Sequence, residues 1–231
     1  MQKEYAPVVD HVVPQCEELI LTFRAAGLPI VWTNWAHRAS DGWYSAADRV
    51  LGPRGVAART NVNFIYTDDG AETISELAPI SEVERGREIM SAHANKFADR
   101  DASGAPILYP MLQSLGVDTV VVVGAWTDFC VLATVIAAVD TWGFDTVVPT
   151  DAIASAMAIS DDTAHSGLDI INLFALTRRT HEVLDFMKTR PELVVPPLTE
   201  DDAYNAAEAE RSAPFFRSGA HRAAFRRDSA H

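Results

Sequence analysis

Apolar side chains return at every third or fourth position between residues 8 and 26: Val9, Val12, Val13, Cys16, Leu19, Ile20 and Phe23. That spacing lines one face of a helix, and Gly27 stands where a C-cap would. The next run, Leu28-Pro29-Ile30-Val31-Trp32-Thr33, is apolar without helical period and predicts a buried strand. Residues 36–69 are rich in loop signals (Gly42, Gly52, Pro53, Gly55), and residues 74–77 and 83–90 suggest short elements. A helix is expected over 106–115 with Gly116 as its stop, then a strand over 118–124. Thr119-Val120-Val121-Val122-Val123 are almost all β-branched, as expected of a parallel strand buried on both faces. Residues 130–142 read as a helix ended by Gly143, 144–149 as a strand, 160–175 as a helix with Ser160 as N-cap, and 180–188 as a last helix.

Helix and strand alternate throughout, which predicts an α/β fold: a doubly wound, mostly parallel sheet with helices on both faces, three layers α/β/α. The 231 residues, 48% apolar, suit one domain. We place it at 1–195, with Pro196-Pro197 opening a C-terminal tail or arm over 196–231. That tail carries Arg211, Arg217, Arg222, Arg226 and Arg227, and reads either as a solvated arm or as one that docks on a neighbouring subunit. The net charge of −13 disfavours nucleic acid as a partner. The apolar runs are short of the roughly 18–20 residues of a membrane span, and the first ten residues lack a signal-peptide core, so the cytoplasm is the simplest location. Large apolar helix faces favour a homo-oligomer, dimer or tetramer.

Ligands of such sheets sit beyond the carboxyl ends of the strands, which directs attention to the turn Gly124-Ala125-Trp126-Thr127-Asp128-Phe129-Cys130. A thiol opening a helix feels the positive end of the macrodipole, which favours thiolate. The unpaired N–H groups of that first turn can receive an oxyanion. Cys130 is therefore either a nucleophile or a small buried apolar residue. Cys16, on the apolar stripe with Val12, Val13 and Leu19, reads as core. The two cysteines suggest neither a disulfide framework nor a zinc site.

The stretch from Gly124 to Val131, followed by Thr134, Ala138, Gly143 and Asp151-Ala152, resembles the signature of isochorismatase-like cysteine hydrolases. That family includes nicotinamidases, ureidoacrylate and N-carbamoyl amidohydrolases, and isochorismatases. The resemblance runs from about Val8 to Lys188. It implies Cys130 as nucleophile, and Lys96, in Asn95-Lys96-Phe97, as the charge that stabilises it. It also implies a non-proline cis peptide at Ala125–Trp126 and an oxyanion hole from the turn Ala125, Trp126, Phe129 and Cys130, with N–H groups at Cys130 and the residue before it. The family's general base is an Asp at the end of a central first strand, directly before a Met-Gln or Leu-Gln pair. The chain opens Met1-Gln2, so we expect that strand and Asp to lie upstream, with Met1 an internal methionine. Asp10, Asp128 and Asp151 are not assigned the role; Asp151 is expected to support the turn after its strand.

Asn34, Trp35, His37 and Trp126 are the expected substrate pocket, where aromatic and amide groups suit a small planar polar molecule; the alternative is that Asn34, Trp35 and His37 belong to surface loop and packing. Nicotinamidases hold a metal near this position through an Asp and two His. With His37 and Asp41 but no second nearby His, no metal is expected, and no organic cofactor. The implied reaction is cysteine-dependent hydrolysis of a C–N bond in a small amide or carbamoyl compound through a thioester. The alternative is a catalytically impaired member, lacking the base, that serves as a binding or structural subunit. A nucleotide-binding domain would want a G-x-G-x-x-G turn after an early strand, and none is present.

Overall fold

A computed structural model describes residues 1–3, 9–35, 70–91, 93–155 and 161–189. The expected loop with His37 and Asp41, the N-cap Ser160 and the tail over 196–231 lie outside these residues. A single turn, Asp10–Val12, leads into α1 (Val13–Ala25). Strand β1 (Trp32–Trp35) follows, then α2 (Glu82–Arg85) and β2 (Glu88–Ser91). The turn Lys96–Ala98 precedes α3 (Leu108–Ser114). Strands β3 (Thr119–Val121) and β4 (Gly124–Ala125) run into one long helical passage: a wide turn Thr127–Val131, α4 (Leu132–Ile136) and a second wide turn Ala137–Thr141. Then come β5 (Asp145–Pro149), β6 (Ile153–Ala154), α5 (Asp161–Phe174), β7 (Leu176–Arg178) and α6 (Thr180–Thr189).

Among the described residues the paired strands all run parallel. β1 pairs β2 with Trp32 opposite Glu88, β5 lies between β3 and β7, and β4 pairs β6. Alternation along β5 separates the layers. Val147 packs with Cys16, Leu19 and Ile20 of α1 and Val183 and Leu184 of α6. Val148 packs with Val131, Val135 and Ile171 on the other face. Ile89, Phe97, Leu108, Leu112, Ala137, Ala138 and Phe144 close a third cluster. The architecture is the expected three-layer α/β/α arrangement. Gly116 (φ 68°) and Gly143 (φ 72°) end their helices in the left-handed region, where a Cβ would be strained.

Several expectations are corrected. The strand expected over 28–33 pairs over Trp32–Trp35, because β2 begins opposite Trp32 and among the described residues no strand lies beside 28–31. The segment 83–90 divides into α2 and β2. The helix expected from Cys130 begins at Thr127, as a wide turn. Short strands β6 and β7 were not anticipated, because two or three residues are too few to show a period. The most informative departure is β3: its residues are half-buried rather than buried. Among the described residues no strand pairs β1 to β3. Two cavities, of about 190 and 210 Å³, run along residues 28–35 on one side and 119–126 on the other.

Candidate active site

The smaller cavity lies at the carboxyl ends of the strands and is lined by Cys130, Lys96, Trp126, Ala125, Asn34 and Trp35, among others. Cys130 (8% exposed) is set there by β4 and the wide turn that follows it. Ala125–Trp126 is a cis peptide, as expected. Burial pushes the Cys130 thiol above its ordinary value; the Lys96 charge and the Trp126 N–H, turned toward the sulfur, oppose that push, and Asp128 adds to it. Helix α5 touches this turn backbone to backbone: a Cβ on Gly167 would lie 3.1 Å from Asp128 Cα.

Lys96 (5% exposed) enters on the turn Lys96–Ala98, whose first free N–H, that of Phe97, is accepted by the Asn95 side chain at 2.9 Å. Thr134, on α4, fixes the same segment. Its hydroxyl accepts the Lys96 N–H at 3.2 Å and donates to the Ala94 carbonyl at 3.3 Å. The Lys96 Nζ is buried without a hydrogen-bond partner and stands 5.2 Å over the Trp35 ring. An ammonium over an indole face is attracted by the ring quadrupole, but that does not replace lost water. Burial accordingly pushes Lys96 below the usual lysine range, against the pull of Cys130 and then Asp99. Asp99 is buried and Nδ1 of half-exposed His93 lies 2.8 Å from its Oδ1.

Several of the expected site residues have partners of their own in the structure. The Phe129 N–H, expected in the oxyanion hole, donates to the Trp126 carbonyl at 3.1 Å; the wide turn spends it on closing its own first loop. Phe129 instead packs its ring on Trp35, with centroids 6.2 Å apart. Asn34 lines the cavity, yet both its amide donors are committed, to Thr73 Oγ1 at 2.7 Å and Glu88 Oε1 at 2.8 Å. Asp151 caps α6: the Thr180 N–H and hydroxyl both donate to its Oδ1 at 2.8 Å. Sequence reasoning missed Gln2. Its Nε2 donates to the Trp35 carbonyl and, at 2.7 Å, to that of Ala71, while its Oε1 accepts the Trp35 N–H at 3.0 Å. It also gave Thr134 no role, and missed Asp99 and His93, whose spacing around Lys96 was the available signal. Among the described residues lining this cavity there is no Asp or Glu, and the described residues hold no cluster of three or more His, Cys, Asp or Glu side chains that could bind a metal.

A three-layer α/β protein with a thiol and a lysine in one cavity at the strand ends is the class these observations define. The isochorismatase domain model matches residues 1–182, and the chain belongs to that family of hydrolases. No curated protein sequence matches the chain. Among solved structures, N-carbamoylsarcosine amidase from Thermoplasma acidophilum is similar, with 24% identity, 78% of this chain and 92% of that one covered, and a TM-score of 0.56. So is a pyrazinamidase/nicotinamidase from Streptococcus mutans UA159, at 22%, 74% and 86%, and 0.57. A cysteine hydrolase from Pseudomonas syringae pv. phaseolicola 1448A aligns at 18% identity, covering 78% and 82%, with a TM-score of 0.62. At these identities the likeness establishes the fold. Among the described residues no helix is long and apolar enough to cross a membrane.

Proposed function

We propose that the protein hydrolyses a C–N bond in a small amide or carbamoyl compound, with Cys130 as nucleophile. The observation that carries this reading is the shared, buried cavity of Cys130 and Lys96, with the Nζ unpartnered. The sulfur attacks the carbonyl carbon, and the thiol proton is passed on to the nitrogen that will leave. The ammonium of Lys96 favours thiolate and the negative charge that develops on oxygen. The C–N bond breaks, the amine or ammonia leaves with a proton, and water then cleaves the thioester to the acid and the free thiol. A cavity of about 190 Å³ suits a small substrate. Trp35 and Trp126 form apolar walls, and a homo-oligomer is the proposed assembly.

The test is ammonia release from a panel that includes nicotinamide, N-carbamoylsarcosine and simple aliphatic amides, with intact-mass detection of an acyl adduct. Turnover lost in Cys130→Ser, with the adduct mapped to Cys130, supports the reading; turnover retained in that variant sinks it.

A second reading, a family member that binds without turning over, draws on the described residues lining the cavity, which include no carboxylate. Tight binding of panel amides with neither adduct nor ammonia would select it.

A further inference from the structure

Two groups of opposite charge end blindly in one buried segment. The Lys96 Nζ and the Asp99 Oδ2 are each buried without a hydrogen-bond partner among the described residues. A buried charge left alone is costly. Two of opposite sign near each other offset part of that cost through space, because the interior screens them poorly.

The backbone explains why they are near. Lys96–Ala98 is one tight turn, and Asp99 is its C-cap. With three residues to the turn, positions i and i+3 leave on the same side, which sets Lys96 and Asp99 one above the other. The main chain here is fixed without the Asp99 side chain. Ala98 N–H donates to the Asn95 carbonyl at 3.0 Å, and Ile107 N–H donates to the Asp99 carbonyl at 3.2 Å. The second carboxylate oxygen is tethered: His93 Nδ1 lies 2.8 Å from Oδ1. A carboxylate only accepts, so Nδ1 carries the hydrogen and donates it. The His93 ring is half-exposed and Asp99 is buried, so the imidazole holds the carboxylate from its solvent side. Lys96 faces Cys130 and Asp99, and both favour its charged form. Cys130 faces Lys96 and Asp128, and Asp99 is not among the charges that act on it. The influence of Asp99 on the sulfur therefore runs through the lysine.

We propose that Asp99 is a positioning residue for the reaction: tethered by His93 one turn from Lys96, its carboxylate supplies the counter-charge that holds the Lys96 ammonium in the Cys130 cavity. The proposal rests on the hydrolase reading for what that ammonium is used for. Its test needs no turnover, so an inert amide panel with the shifts below intact would sink the hydrolase reading alone.

Lys3, Lys96 and Lys188 are the chain's three lysines. Isotope labelling at lysine Cε therefore gives three NMR signals to follow against pH, two of them from exposed side chains that serve as references. The second readout is the pH profile of Cys130 alkylation in the full chain. Asp99→Asn should carry the Lys96 midpoint further below the usual lysine range and the Cys130 profile to higher pH, with alkylation at pH 8 down about threefold. His93→Ala should move both the same way by less, because the freed carboxylate can turn to water. His93→Asn, whose amide can donate from near the place of Nδ1, should restore them. In Lys96→Met, Asp99→Asn should leave the Cys130 profile unchanged. The His93 pair decides by the same readouts where Asp99→Asn does not fold. If Asp99 only fills space, replacing it admits water, and both groups move toward their ordinary values, Lys96 upward and Cys130 downward. That result, an unmoved Lys96 midpoint, or an equal effect in Lys96→Met overturns the proposal.

Discussion

The two thiols of this chain share a residue type and a buried setting, and differ in what surrounds them. Cys16, on the α1 face of β5, lies among Leu19, Ile20, Val147 and Leu184 and has one polar contact, to the Ala152 carbonyl at 3.4 Å. Burial pushes it up to about 11, against an opposing pull from the chain's amino terminus. Cys130 is as secluded, but a lysine and a main-chain N–H face its sulfur. Burial raises both thiols; only at Cys130 do a side-chain cation and a main-chain N–H together oppose that rise. Seclusion alone makes a cysteine inert, and seclusion with a counter-charge makes it usable.

Alkylation kinetics should separate the two most widely. At pH 8 in the native protein, iodoacetamide should modify Cys130 on the order of 100-fold faster than Cys16, read by peptide mapping against time. Equal rates would collapse the comparison. Lys96→Met sharpens it by removing the counter-charge: Cys130 alkylation at pH 8 should fall about tenfold. Thermal stability should rise by about 1–3 kcal/mol, because an unpartnered buried amine is gone. A variant both slower and less stable would mean that Lys96 holds the fold rather than the thiolate.

The Cys16 side can be read through pH. A thiol raised by folding keeps its proton where the unfolded chain loses it, so the native state binds more protons from about pH 8.5 up to about 11. Its contribution is complete below that window and lost as pH rises through it, on the order of 2–3 kcal/mol at the upper end. Urea unfolding of Cys16→Val across pH 8–11 should lose less stability than the parent by about that amount; parallel slopes would refute the assignment. Gly167→Ala presses a methyl against the Asp128 main chain beside Cys130. It should cost about 1–3 kcal/mol and slow Cys130 alkylation while leaving Cys16 unchanged. Asp151→Asn should have the smallest effect, about 1 kcal/mol from the weakened α6 cap and a slight downward shift of Cys16, whose ionisation Asp151 opposes.

What the sequence revealed depended on the range of the signal. The α1 stripe is local and periodic, and the helix follows it. The apolar run of β3 was read as buried on both faces. Its depth, however, depends on the strand beside it, a property of topology that five β-branched residues do not encode. At the site, Cys130 and Lys96 come into one cavity from segments more than thirty residues apart, and the family resemblance placed both there. The oxyanion role of Phe129 could not be judged from residue types, because it depends on which carbonyl the wide turn turns back toward. Gln2 looked like an ordinary polar residue near the start of the chain; only the fold brings its amide to the Trp35 main chain.

The contact between Gly167 and Asp128 has a consequence for precision. Where two elements meet through side chains, each rotamer adds a way for them to drift. Here backbone rests on backbone with a hydrogen between, and neither surface has a torsion to relax. Thermal motion of α5 and of the turn carrying Cys130 is therefore shared rather than independent, and the sulfur keeps its aim by moving with its neighbour.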